Sequence, residues 1–192
     1  QLCTRGIYLE SGRLVYDGTV SRAIDLYAGS GMRSVDRDLD AMRRGRTLGV
    51  QMRMLRLRVE NSETMEYQMD DAMEFSLTFR AEAREHRCRL RLVLLNNAAA
   101  PVAMTQTEEF PVSAGDEKTL RVRAPLESVA PGEFSIKLSL VGGDPRGGSI
   151  EYDTINDVGH FVIIDDPSRT AGFIWSEPLW GNMRLREMEL MG

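Results

Sequence analysis

Between Leu48 and Ile164 the apolar residues return at every second position, run after run. Leu55, Leu57 and Val59 alternate with Arg56 and Arg58. Met73, Phe75, Leu77, Phe79 and Ala81 alternate with Glu74, Ser76, Thr78 and Arg80. Cys88, Leu90, Leu92 and Leu94 alternate with Arg87, Arg89, Arg91 and Val93, and Leu120 and Val122 with Arg121 and Arg123. Phe134, Ile136, Leu138 and Leu140 alternate with Ser135, Lys137 and Ser139. Ile150 with Tyr152, and Phe161 with Ile163, form shorter pairs. Successive side chains of a strand point to opposite faces, so each run describes a strand with one buried and one wet face. Turn signals separate the runs, at Asn96-Asn97, Gly115-Asp116, Pro131-Gly132, Gly142-Gly143-Asp144-Pro145 and Asp165-Asp166-Pro167. No helical run stands between them to cross from one parallel strand to the next. The pattern predicts an all-β fold, an antiparallel β-sandwich of immunoglobulin-like or jelly-roll type, over residues 48–192. Leu57, Phe75, Phe79, Leu90, Leu92, Phe134, Ile136, Leu138 and Phe161 are its expected core.

The chain before this region has a different grain. Leu2 to Gly18 reads as a short strand, a Ser-Gly turn, a second strand and an Asp-Gly turn. Thr19 to Tyr27 reads as a short helix, with Thr19 or Ser21 as its cap, Ala23, Ile24 and Tyr27 on one face and Gly29 at its end. Residues 1–28 are therefore one unit, and the polar stretch 29–47 reads as a linker. Asp36-x-Asp38-x-Asp40 has the acidic spacing of a calcium loop. Ala41 stands where that loop needs Gly and Thr47 where it needs Glu, so the motif is rejected. At the other end, Phe173 to Met191 is rich in large apolar groups, and Leu185 to Leu190 fits a helix or a strand equally by pattern.

The composition narrows the function. Hydrophobic residues make up 42% and charged residues 28%, as in folded globular proteins. A net charge of -5 gives no general attraction to nucleic acid. Only Lys118 and Lys137 among 24 basic residues are lysines. No run approaches the roughly 20 apolar residues of a membrane span, and no charged-then-apolar leader opens the chain. Cys3 and Cys88 lie far apart in sequence, and reduced thiols in a cytoplasmic protein are the simplest account of them.

Catalytic chemistry finds little support. No G-x-x-x-x-G-K-[ST] loop is present to cradle nucleotide phosphates. No H-E-x-x-H, C-x-x-C or G-x-S-x-G motif supplies a metal or acyl-transfer scaffold, so no metal site and no catalytic residue is expected. His86 lies two residues from Cys88, but strand neighbours on one face stand nearly 7 Å apart along the chain. The acidic pairs Asp70-Asp71, Glu108-Glu109 and Asp165-Asp166 are adjacent residues in turns, whereas glycosidases use carboxylates from separate positions.

Binding chemistry is better represented. Sugars take flat aromatic faces against their C–H surfaces, with Asp, Asn and Arg on their hydroxyls. Tyr67, Tyr152, Trp175 and Trp180 stand among polar neighbours, and Asp153 and Asn156 follow Tyr152 closely. The two Trp residues could equally cover the ends of the sandwich or a subunit contact. Arg89 and Arg91 belong to a row of like charges that needs acidic partners or an anionic ligand. The candidate carbohydrate-binding residues are Trp175, Trp180, Tyr152, Asp153, Asn156, Tyr67, Arg89 and Arg91.

The layout as a whole resembles one family. An opening of the form C-x-x-x-x-x-L-x-x-G-x-x-x-x-x-G from Cys3 to Gly18, a helix to Tyr27, a polar linker and a sandwich is similar to the Wzt-type ATP-binding subunit of O-antigen exporters. Pro131-Gly132-Glu133-Phe134-Ser-Ile-Lys-Leu, and then Val158-Gly-His-Phe161-Val-Ile, carry the resemblance into the second part. The resemblance implies that residues 1–28 are the end of an ABC nucleotide-binding domain whose ATP and Mg sites lie in a longer parent, with no cofactor in this chain. It implies a cytoplasmic, non-enzymatic module at the inner membrane, bound through the transporter. That module recognises the end of a lipid-linked O-antigen polysaccharide and couples it to export. It further implies a homodimer with exchange of the C-terminal strand, and the transmembrane subunit as a partner. The alternative is a dimerisation or regulatory domain that binds no glycan.

Overall fold

The computed structural model describes residues 5–10, 13–20, 23, 35–143, 148–165, 174–185, 188, 190 and 191. The chain divides into two compact units, Gln1–Ser34 and Val35–Gly192. In the first, β1 (Gly6–Glu10) and β2 (Arg13–Gly18) form the expected hairpin. Arg5 and Asp17 close its open end as an ion pair. Val20 and Ala23 are helical, and the Ala23 amide donates to the Thr19 carbonyl at 3.1 Å. Cys3 and the rest of the expected helix lie outside the described residues.

The second unit is all-β. Its first sheet comprises β3 (Asp36–Asp38), β4 (Met52–Val59), β6 (Ala72–Ala81) and β10 (Glu117–Pro125), in the order β10-β6-β4-β3. Its second comprises β5 (Glu66–Gln68), β7 (Glu85–Leu95), β8 (Pro101–Gln106), β9 (Phe110–Val112), β11 (Gly132–Gly143) and β12 (Ser149–Ile164). The order there is β5-β12-β11-β7-β8, with β9 also on β7. The inner faces share one apolar core, and all nine core residues expected from the alternation are buried in it. Phe134 and Phe161 pack at a centroid distance of 5.5 Å.

The sandwich is thus the predicted one, with four differences. β5 runs parallel to β12, pairing Tyr67 with Ile163, so one contact of an otherwise antiparallel fold is parallel. Residues 150–163 form one strand instead of two short pieces. Leu55 is only half-buried while Met52 and Met54 are fully buried, because a bulge between Met54 and Arg56 shifts the register. One extra residue turns every side chain on its far side to the opposite face.

The fourth difference concerns the expected linker. Its later half belongs to the sandwich: β3 extends the four-stranded sheet, and Leu39 is completely buried. Arg44 fastens this stretch. Its Nε donates to Asp153 Oδ1 at 2.8 Å, and its terminal nitrogens donate to the carbonyls of Leu39 (2.8 Å), Met42 (2.9 Å) and Met54 (2.5 Å). Gly49 lies beside it at φ +74°, where a Cβ would come within 2.8 Å of the Arg44 side chain. No other residue fits there without strain. The sandwich therefore starts near Val35, not Leu48. The earlier half of the linker lies outside the described residues.

Candidate functional site

Outward-facing residues of β7, β11 and β12, with the loop after β7, surround a hollow of about 670 Å³. A break in β12 makes it. Ile136 pairs with Gly159 and Leu138 pairs with Ile155. Lys137 alone therefore faces Asn156, Asp157 and Val158. Asp157 takes φ +60°, a left-handed conformation that Asp accepts more readily than most residues. Such bulges re-aim side chains, and they gather beside functional sites.

Asn156 and Asp157 form one wall, and Val93 and Leu95 the opposite floor. His160 faces the same hollow, with Nε2 2.6 Å from Asp157 Oδ1. Lys137 also lines it, and its side chain makes no hydrogen bond or ion pair with another described residue. Asn96 closes one end and donates from Nδ2 to Asn182 Oδ1 at 3.2 Å. The surface thus offers amides, a hydroxyl at Ser135, an imidazole, the Asp157 carboxylate and an ammonium group beside the apolar side chains of Val93 and Leu95. That mixture suits a polyhydroxylated ligand better than a purely apolar one.

Asn156, of the eight sequence candidates, lines this hollow. Trp175 and Trp180 stand on the segment tied to its rim through Asn182. Their rings meet edge to face at 5.5 Å, the Trp175 indole donates to the Gly181 carbonyl at 2.9 Å, and Trp180 is 49% exposed. The one-turn helix α1 (Glu177–Trp180) carries Trp180, and Met183 bridges to Val129, holding the segment on its own sandwich.

Tyr67 and Asp153 are not surface residues. Tyr67 is buried edge to face against Phe161 at 5.9 Å. Burial, and then the Asp71 charge, push its phenol up to about 12. Asp153 is fully buried and spends both oxygens on Arg44 and on the Met54 amide, so no ligand reaches it. Tyr152 is half-buried at the end of the sandwich, where it donates to Glu85. It lies flat on Gly142, where a Cβ would come within 2.5 Å of the ring. Asp153 turns inward at a second irregularity in β12, beside Leu140, whereas Tyr67 is buried by the pairing of β5 with β12.

The arginine row resolves mainly in favour of acidic partners. Glu109 accepts from Arg87 at 3.0 Å and from Arg89 at 2.7 Å. The Arg87 hydrogen bond holds the Glu109 carboxyl below the usual carboxylate range. Arg91 differs: its Nε is buried and has no hydrogen-bond partner among the described residues. Lys137, His160 and Asn96 were not among the residues that the sequence pointed to as sugar contacts, whereas Asp157 stood beside Asn156 in that reading. The available signal was Asn156-Asp157-Val158-Gly159, turn-forming residues inside an alternating run, which marks a bulge.

Among the described residues no group of three or more His, Cys, Asp or Glu side chains gathers as a metal site. Among them, too, no helix is long and apolar enough to cross a membrane.

No family model matches the chain, and no curated protein does. A solved structure does: the chain is similar to the crystal structure of the C-terminal domain of Wzt, with a TM-score of 0.61 and 11% sequence identity. The match covers 81% of this chain and 93% of that one. At this identity the likeness establishes the fold, and the resemblance drawn from the sequence is thereby borne out at the level of the sandwich.

Proposed function

We propose that this chain is a glycan-binding module that recognises the terminal part of a lipid-linked O-antigen polysaccharide and couples it to an ABC exporter. The observation that carries the reading is the hollow opposite Lys137, a polar-walled surface built by a strained bulge on a sandwich of Wzt C-terminal type. The module performs no chemistry; the ATP and Mg sites of the transporter lie in the nucleotide-binding domain of the parent. It works in the cytoplasm, at the inner membrane, beside the transmembrane subunit. The decisive experiment is calorimetric titration of the chain with purified O-antigen polysaccharide from its own bacterium, against an unrelated polysaccharide. Saturable binding of the first alone supports the reading, and equal or absent binding of both overturns it.

A specific observation favours a dimerisation role alongside this. Leu185, Met188, Leu190 and Met191 are exposed by 81%, 98%, 103% and 95%. Apolar groups in such number mark an interaction site. In this reading the C-terminal segment is exchanged between two copies, a low-cost route to a symmetric dimer. Were no glycan to bind, this would stand as the domain's structural or regulatory role.

A further inference from the structure

Two opposite charges line the hollow and do not meet. Lys137 stands on β11, and Asp157 lies in the β12 bulge across from it. The Lys137 side chain makes no hydrogen bond or ion pair with another described residue. Asp157 turns Oδ1 to the His160 ring, 2.6 Å from Nε2, without the alignment of a hydrogen bond. That oxygen and that nitrogen are both buried, and neither has a hydrogen-bond partner among the described residues. Such atoms are nearly always satisfied in a folded protein, so the pair sets the hollow apart from an ordinary wet sheet face. The Asp157 side chain is 45% exposed, and its carboxylate therefore also meets the hollow.

The surrounding groups narrow what can lie between the two charges. Asn96 is spent on its own turn and on the C-terminal segment: Oδ1 accepts from the amides of Ala98 (3.1 Å) and Ala100 (3.0 Å), and Nδ2 donates to Asn182. The Asn156 amide, next to Asp157, makes no hydrogen bond with a described residue. Ala99 (φ 56°) and Asp157 (φ 60°) both line the hollow in a left-handed conformation that few non-glycine residues take. Strain of this kind gathers at ligand sites. One carboxylate faces one ammonium, so neither sign prevails when the imidazole is neutral. A carboxylate only accepts hydrogen bonds and an ammonium only donates them, whereas a hydroxyl does both. Two neighbouring hydroxyls therefore fit the pair, one donating to Asp157 and the other accepting from Lys137.

Resting on the glycan-binding reading, we propose that the hollow takes an uncharged sugar ring through two neighbouring hydroxyls, bridged between Asp157 and Lys137, and discriminates against both acidic and amino sugars. Asn156 takes a further hydroxyl, and the C–H surface of the ring lies on Val93 and Leu95. A carboxylate on the sugar meets Asp157 as a like charge and brings no donor to it. An ammonium meets Lys137 in the same way and brings no acceptor. Either charge would have to shed water beside a repelling neighbour, which is how a site rejects a wrong ligand.

The test is an NMR titration of the full chain at pH 7, read on the backbone amides of Val93, Lys137 and Asn156. The neutral probes are methyl glucoside, methyl mannoside and methyl galactoside. Each is compared with its uronic acid and its 2-amino-2-deoxy counterpart, and the purified polysaccharide is titrated alongside. At least one neutral glycoside is expected to shift these amides at concentrations about fivefold below both of its charged counterparts, the worth of one hydrogen bond. Asp157→Asn, which the left-handed backbone accepts, and Lys137→Met are each expected to weaken that glycoside about fivefold. The first variant leaves the ammonium alone and should improve the acidic sugar about threefold; the second leaves the carboxylate alone and should improve the amino sugar about threefold. A merely structural role would not produce this reciprocal change. A charged sugar that binds as tightly as its neutral parent, or charge preferences that both variants leave unaltered, overturns this inference while leaving glycan binding intact. Polysaccharide binding without a shift at these amides overturns the hollow as its site, and the inference with it. Absence of binding by the polysaccharide and by every sugar overturns the glycan-binding reading as well.

Discussion

Arg44 Nε lies 2.8 Å from Asp153 Oδ1, with the two side chains only 4% and 0% exposed. The pair joins the entry of the sandwich to its longest strand. Both charges are satisfied: Arg44 by the carboxylate and main-chain carbonyls, Asp153 by Arg44 and the Met54 amide at 2.7 Å. Removing one partner leaves the other buried and unpaired. Arg44→Met or Asp153→Ala is expected to cost about 3–5 kcal/mol in urea unfolding. The double variant is expected to lose less than the sum of the two. Additive losses would show that the two side chains act independently.

Phe134→Ala tests the core. Phe134 is buried in the shared core and packs on Phe161. A loss of about 3–5 kcal/mol is expected from equilibrium denaturation. A loss below about 1 kcal/mol would mean that the two sheets do not close over this residue.

Alkaline pH should loosen the sandwich through its two inner tyrosines. Burial, and then the Glu85 interaction, push the Tyr152 phenol from its ordinary 10.0 up to about 12, and Tyr67 reaches about 12 through burial. Between those values the folded chain keeps protons that the unfolded chain has lost. Stability therefore falls as pH rises from 10 to 12, and the contribution is fully present below 10. Tyr152→Phe and Tyr67→Phe should each flatten this fall in unfolding measured from pH 9 to 11. An unchanged slope in both variants would refute the assignment.

Glycan affinity should separate the hollow from the residues that the fold withdraws. Asn156→Ala and His160→Ala are each expected to weaken polysaccharide binding about fivefold, the worth of one hydrogen bond. Tyr67→Phe is expected to leave it unchanged. Trp180→Ala reports whether the rim contributes a ring face, and a loss there as large as at Asn156 is expected. Equal binding by Asn156→Ala, His160→Ala and the unaltered chain would move the site elsewhere.

Removal of residues 174–192 should change the association state. If the exposed Leu185, Met188, Leu190 and Met191 cover a second copy, light scattering will show a dimer for the full chain and a monomer for the truncated one. An unchanged mass would exclude the segment from the contact.

Two-residue alternation determined the strands of this protein and which of their side chains are dry, since a strand side chain has only two faces to choose from. Phe75, Leu90, Ile136 and Phe161 were legible for that reason. Leu39, Tyr67 and Asp153 were not. Leu39 and Tyr67 lie in short, polar-looking segments whose burial depends on which distant strand they meet, β4 for the first stretch and β12 for the second. Asp153 looks like a solvated turn residue until Arg44, far away in sequence, is brought to it. The hollow followed the same logic. Asn156 could be chosen by chemistry, but Lys137 becomes its neighbour only because β12 carries two extra residues opposite it. Register between strands is a matter of long-range pairing, and a single irregularity decides which side chains converge.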